Sequence, residues 1–304
     1  MDNLTHSLVG ALIGQTGLKK KTGLAMPALI IGANLPDVDA ACFFWLDGTE
    51  HLGFRRGITH GPPALVLLPL ILTALLWGWD RWQASRGKRP EGRLPVRFGW
   101  LYALAFIGCL SHPALDWLNT YGIRLLEPFS SRWFYGDVLF IIDVWLWLGI
   151  SIGLWFSLRL ERSGSDWRRV ARVTLSAVLA YIGLQALGTW RAEEYFSFAP
   201  VDPQIVISSP RPGWGSDTIY WNPRQFAIGT EVQDTAPLDT CDLAGASRDS
   251  TKIEAFLFWS RTPVLYRSDD GAFILGDARY YDPRARARFS VEVPARFCSE
   301  PTAR

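Results

Sequence analysis

His112 and Asp116 stand four positions apart in "SHPALD", and on a helix that spacing sets an imidazole and a carboxylate on one face. Imidazole with carboxylate suits zinc, manganese or iron, and a catalytic centre of this kind keeps one position open for water. Other stretches carry the same chemistry: His6 ends "MDNLTH", Asp37 and Asp39 lie in "NLPDVD", and His60 ends "RRGITH". All of them stand at or near the ends of apolar runs. An ionisable group inside a bilayer costs roughly 2.5–3.5 kcal/mol, so such residues turn toward a polar cavity or a partner. His6, Asp37, Asp39, His60, His112 and Asp116 are therefore the candidate metal ligands, enough for one or two divalent cations, zinc first and manganese second. Two ions about 3.5–4 Å apart would activate water and clamp both oxygens of a phosphoester-like displacement.

Further residues offer supporting chemistry. Arg55 and Arg56 precede His60 by four to five positions, and guanidinium groups clamp phosphate or carboxylate in pairs of bonds. They read either as binders of a substrate anion or as partners of a nearby aspartate or headgroup. Asp143 reads as a group that orients a ligand histidine, whereas Asp137, in "YGDVLFIID", fits a helix N-cap as well as a functional role. Asp39 also reads as a cap. His51, beside Asp47 and Glu50, is expected to be solvated.

The elements that must position these groups are membrane helices. Hydrophobic residues make up 49% of the 304, and four runs, 61–79, 98–118, 138–158 and 173–190, approach the ~20 residues that cross a bilayer. Two more, 4–18 and 23–46, are short or broken, the second by Asn34, Pro36, Asp37 and Asp39. The N-terminus lacks the basic region and cleavage site of a secretory signal. Basic residues cluster at 19–21, 81–97 and 159–172, fourteen in all, against Arg55, Arg56, Arg124 and Arg132 elsewhere. By the positive-inside tendency the clusters are cytoplasmic, which places the loops 47–60 and 119–137 and everything after Trp190 outside. Helix rise then sets Asp116 about 3 Å and His112 about 9 Å below an outer helix end, at headgroup depth. Trp117, Trp133, Trp145 and Trp147 fit an aromatic belt at that boundary. Topology accounts for the basic clusters, so nucleic-acid binding has no support.

The expected architecture is thus an all-α polytopic membrane domain over 1–190 and a small β-rich extracytoplasmic domain over 191–304. Strand-like alternation shows in "QIVISS", "IEAFLFW" and "RFSVEV", interrupted by "SPRPG", "WNPR", "SDDG" and "YDPRA". Cys241 and Cys298 would face an oxidising space and could pair there, while Cys42 and Cys109 read as packing residues.

"MDNLTHSLVGA", "NLPDVD", "RRGITHG", "LSHPALDWLNTYG" and "FSSRWFYGDVLFIID", in that order, resemble the bacterial membrane-bound metal-dependent hydrolases of the YdjM type, over about residues 1–160. The resemblance implies a multi-pass protein of the bacterial inner membrane with a metal-dependent hydrolase site, and its His and Asp pattern falls on His6, Asp37, Asp39, His60, His112 and Asp116. The sequence departs from that pattern where Arg55 replaces a frequent histidine and Gly61 a frequent serine. The expected activity is hydrolysis of a lipid-linked or envelope-derived ester, phosphoester favoured, by metal-activated water, with membrane lipid as partner. A metal-ion transporter, or a non-catalytic assembly or sensor protein with a structural metal, remains the alternative; a transport path would spread ionisable groups through the full membrane thickness.

Overall fold

The computed structural model describes residues 1–193, 199–211 and 215–299. Contacts divide the chain into two units, one of Met1–Val38 with Arg56–Leu187, the other of Asp39–Arg55 with Gly188–Arg211 and the residues from Gly215 onward. Residues 39–55 thus group with C-terminal residues and not with the helices that flank them in sequence.

The first unit is helical: α1 (Asn3–Gln15), α2 (Ala25–Gly32), α4 (Pro62–Ser85), α5 (Phe98–Trp117), α6 (Val144–Arg162) and α7 (Trp167–Glu193), the last of which runs on into the second unit from Gly188. Among the described residues four helices, α4 to α7, are long and apolar enough to cross a membrane. α2 and the 3₁₀ segment Leu35–Phe44 pass the same test jointly as a span bent by 49°. Pro36 follows that break, where it cannot donate to a continuing helix.

Two span boundaries differ from the hydropathy reading, each for a physical reason. α6 starts at Val144 and not at 138, because Asp143 is its N-cap: its carboxylate accepts from the Leu146 backbone N–H at 2.9 Å. Capping is therefore what Asp143 does, and Asp137 sits instead in the preceding loop with a positive φ of 54°. α7 begins at Trp167, six residues before its apolar run, since Arg168, Arg169 and Arg172 continue the helix beyond the hydrocarbon. Of the expected belt, Trp117 and Trp145 are exposed, whereas Trp147 ties α6 to α1 by donating from Nε1 to Thr5 Oγ1 at 2.9 Å.

Small residues let the helices that carry the site approach closely, the usual device where lipid supplies no hydrophobic drive between helices. A Cβ on Gly108 of α5 would stand 2.5 Å from the Leu29 carbonyl of α2, and one on Gly32 of α2 would stand 2.6 Å from the Ala105 carbonyl of α5. Leu29, Leu72, Leu101 and Leu104 fill one core among α2, α4 and α5. Val9, Leu12, Leu115, Leu146, Ile150 and Val178 fill a second among α1, α5, α6 and α7.

The second unit holds α3 (Glu50–Phe54), α8 (Leu243–Asp249), α9 (Thr251–Trp259) and two antiparallel sheets. One sheet runs β1 (Ile205–Pro210), β2 (Ser216–Asn222), β3 (Gln225–Ile228) and β4 (Glu231–Val232), and the other β5 (Pro263–Arg267), β6 (Phe273–Asp277) and β7 (Ser290–Val293). "QIVISS" and "RFSVEV" supply β1 and β7, while "WNPR" and "SDDG" make the β2–β3 and β5–β6 turns. The "SPRPG" break lies partly outside the described residues. "IEAFLFW" is the exception: it forms helix α9, not a strand. Ile253, Phe256 and Trp259 recur every third residue and are buried, a helical stripe that a short apolar run conceals. Cys241 and Cys298 are joined as a disulfide, and Cys42 and Cys109 are buried free thiols.

A buried ion pair anchors the junction of α9 and the second sheet. Arg279 meets Asp277 through Nε and Nη2, both at 2.8 Å, while Ser260 Oγ donates to the same carboxylate at 2.6 Å. Burial pushes the Asp277 carboxyl up, but the Arg279 guanidinium and the Ser260 hydroxyl outweigh it and hold the group below the ordinary carboxylate range. Its stabilisation is therefore complete above the unfolded value of about 3.9 and drains as pH falls from there through the lower folded value. Asp277→Asn should cost this unit about 3–5 kcal/mol at neutral pH. Thermal unfolding at pH 7 and pH 3 checks it, because the gap between wild type and variant should shrink in acid.

Candidate metal centre

Four histidines and aspartates converge in the first unit. One ligand-type atom from each of Asp37, His60, His112 and Asp116 lies within 4.8 Å of the others. His60, His112 and Asp116 are fully buried, and Asp37 is partly exposed. Each comes from a different turn of chain. Asp37 follows the Pro36 break, and Asn34 stabilises that break by donating from Nδ2 to the Ile30 carbonyl at 2.8 Å and to Ser7 Oγ at 3.0 Å. His60 closes the short 3₁₀ turn Ile58–His60 just before α4. His112 and Asp116 share the face of α5 that the i, i+4 spacing implies.

The tautomer of His112 is fixed by its surroundings. Its Nδ1 lies 2.8 Å from the Ala33 carbonyl, which only accepts, so Nδ1 carries a proton, and in the neutral ring the lone pair is on Nε2. That Nε2 lies 3.5 Å from Asp116 Oδ2 and 3.7 Å from Asp37 Oδ1. His60 Nε2 approaches Asp116 Oδ2 at 3.7 Å, and its Nδ1 lies 2.9 Å from Thr59 Oγ1. His6, on α1, stands outside the group of four yet beside it: its Nε2 is 3.3 Å from Asp116 Oδ1, and its ring stacks on His112 at 3.8 Å. Asp2 caps α1 through Leu4 and Thr5, which fixes the turn that presents His6.

Asp116 is the hub. Besides the three imidazoles it takes the Met1 nitrogen on Oδ1, and the Arg56 guanidinium through Nη2 to Oδ1 at 3.2 Å and Nε beside Oδ2 at 3.0 Å. Arg56 is held further by Asn119 Oδ1 at 2.9 Å, by the Gly122 carbonyl at 3.3 Å and by the Tyr121 ring 4.5 Å beneath it. Its backbone sits at φ 55°, a left-handed conformation that a non-glycine residue keeps only where its surroundings over-determine it. Asn119 and Tyr121 escaped the sequence reading because they carry no charge; their signal was adjacency to the motif, in "LNTYG".

The remaining candidates lie elsewhere. Asp39 and Arg55 fall in the second unit and pair with each other at 3.5 Å. His51 is half-buried in the same unit, its Nδ1 on the Gly48 carbonyl and its ring against Phe43. Asp143 is occupied at the head of α6, where Tyr181 Oη also donates to it at 2.8 Å. Gly61 has a steric reason: a Cβ there would meet the Glu127 carbonyl at 1.9 Å, so this loop packing has no room for a serine.

Buried polar atoms are almost always hydrogen-bonded, and each exception calls for an explanation. Here both ring nitrogens of His6 and Nε2 of His112 are buried without a hydrogen-bond partner. Unsatisfied imidazole nitrogens turned on shared carboxylates are the donor set of a divalent transition-metal cation, so the residues present fit such an ion.

The family model described as YdjM inner membrane protein matches residues 1–192. A protein described as "Uncharacterized protein YfhP", from Bacillus subtilis (strain 168), is 25% identical over 167 residues, which cover 52% of this chain and 47% of that relative. The chain therefore matches about half the length of that curated relative. No solved structure matches the chain.

Proposed function

We propose, since the chain belongs to the YdjM inner membrane protein family, that it is a metal-dependent hydrolase of a lipid-linked or envelope-derived ester, a phosphoester before an acyl ester or amide. The observation that carries this reading is the buried group Asp37, His60, His112 and Asp116, with His112 Nε2 left without a hydrogen bond. These four would hold a divalent cation, zinc before manganese, and His6 beside Asp116 Oδ1 is the candidate ligand for a second. A cation there supplies Lewis acidity: it lowers the pKa of water and polarises the ester.

The chain's own groups do the rest. The Ala33 carbonyl keeps the proton of His112 on Nδ1 and so points Nε2 inward. Arg56, spread over Asp116, Asn119 and Gly122, holds the Asp116 carboxylate in place, a more constrained duty than capture of a substrate anion. Arg55 belongs to the second unit, where it pairs with Asp39 at 3.5 Å and lies over the Phe43 ring. Asp37, the partly exposed member, marks the side from which substrate reaches the cluster. With the C-terminal unit outside the cytoplasm, as the basic clusters favour, that substrate is met on the outer face.

Elemental analysis of the purified protein, run beside a screen of lipid phosphoesters, tests the reading. Wild type should carry one or two divalent ions per chain and turn over at least one substrate class, and His112→Ala should lose both. Metal retained in His112→Ala removes the site; metal bound in wild type without turnover of any ester leaves the non-catalytic alternative.

A further inference from the structure

The second unit exposes an aromatic edge that neither sheet nor disulfide requires. Phe44 is 92% and Trp45 61% exposed, and Phe43 and Phe54 are about half exposed. An exposed cluster of large apolar side chains marks an interaction surface.

The edge is built, not frayed. Trp45 and Leu46 donate their backbone N–H groups to the Cys42 carbonyl at 3.0 and 2.8 Å, which turns the chain and thrusts the aromatic residues outward. The Trp45 and Phe54 rings meet edge to face at 6.2 Å, and Phe43 lies against His51 at 5.0 Å. Behind them α3 is fastened to α9: Thr49 Oγ1 donates to the Lys252 carbonyl at 2.7 Å, Thr251 bonds Glu50, and a Cβ on Gly53 would stand 3.2 Å from Ala255 Cβ.

What covers the edge follows from what precedes it. Ala25–Gly32 and Leu35–Phe44 together meet the length and hydropathy of a broken membrane span, and that span ends at Phe44. A chain that crosses there leaves the hydrocarbon at Phe44 and Trp45. Aromatic rings prefer that headgroup boundary, with tryptophan the most typical occupant. The polar residues come immediately after, as Asp47, Thr49 and Glu50, with Lys252 exposed on α9.

We propose that Phe43, Phe44, Trp45 and Phe54 form a lip seated in the headgroup–acyl boundary of the bilayer, so that the C-terminal unit is docked on lipid through its own surface as well as tethered by α7. This docking stands apart from the hydrolase reading, since it needs neither a metal nor turnover.

The test places a nitroxide at Phe44→Cys, and separately at Trp45→Cys, in the full chain with Cys42→Ala and Cys109→Ala, reconstituted in phosphatidylethanolamine–phosphatidylglycerol nanodiscs. A label at Asp269→Cys, on the exposed β5–β6 turn, serves as the aqueous reference. Collision with oxygen should exceed collision with a water-soluble nickel chelate at 44 and 45, and the order should reverse at 269. Nickel access at 44 and 45 would show that the lip stands in water and would overturn the proposal. Protection from both reagents would mean that protein covers the lip, either a second copy or the chain itself, and would overturn it equally. The two labelled positions are read independently, so misfolding of one variant leaves the other decisive.

Discussion

Asp116→Asn should abolish binding of the proposed cation and remove about 3–5 kcal/mol of stability in one substitution. The amide fits the same space, so packing is preserved and the loss is electrostatic. Five groups face this carboxylate: the Met1 nitrogen, His6, Arg56, His60 and His112. Arg56 is only 4% exposed, and once Asp116 is neutral its guanidinium retains Asn119 and the Gly122 carbonyl but no counter-charge from its closest carboxylate. A buried charge deprived of its partner is among the largest single-residue penalties known. The same change removes a carboxylate that touches all three imidazoles. Thermal unfolding in detergent and metal content per chain measure the two effects separately, and a double variant divides them. Arg56→Gln placed on Asp116→Asn should recover much of the melting temperature, because the stranded guanidinium is gone, while metal stays absent. Unchanged metal content in Asp116→Asn would mean that this cluster is not the metal centre.

How much of this was legible in the sequence depends on which physical signal each residue emits. Asp37, His60, His112 and Asp116 announce themselves, because ionisable side chains at the ends of apolar runs are expensive and need partners. Their convergence is tertiary, yet four motifs at similar membrane depth already implied it. Asp39 and Arg55 emit the same signal but are spent on each other at 3.5 Å. Charge reveals that a residue needs a partner and not which one. Asp143 shows the same ambiguity: its position fits a group that orients a histidine, yet it caps α6, since the helix starts there and not at the first apolar residue. The residues that steady the centre were silent. Asn119, the Ala33 carbonyl and the glycines of α2 and α5 act through hydrogen bonds and close approach, for which hydropathy and charge have no register. In the C-terminal unit, "QIVISS" reads correctly as a strand because its alternation is long enough, whereas "IEAFLFW" is apolar at nearly every position and fits either period.

The glycine contacts lead to the second large effect, at a residue with no polar atom in its side chain. Gly108 lies one helical turn before His112 on α5, and Leu29 lies one turn before Ala33 on α2, so the two pairs face each other in register. At the first level a Cβ on Gly108 would stand 2.5 Å from the Leu29 carbonyl and 3.1 Å from the Ala33 nitrogen. At the second level the Ala33 carbonyl receives the His112 Nδ1 proton at 2.8 Å. The missing methyl thus sets the spacing at which the hydrogen bond that orients a candidate metal ligand can form. Gly108→Ala must push α2 and α5 apart, because the atoms it meets are backbone and cannot rotate away. The expected cost is about 1–3 kcal/mol for the overpacking. Metal affinity should fall about 10- to 100-fold from loss of the orienting bond alone, with every candidate ligand still present. Gly149→Ala on α6 is the matched control, since a Cβ there meets nothing within 4 Å; its metal affinity and melting temperature should match wild type or exceed it slightly. If Gly108→Ala binds metal as tightly as Gly149→Ala, the contact between α2 and α5 does not govern the geometry of the centre.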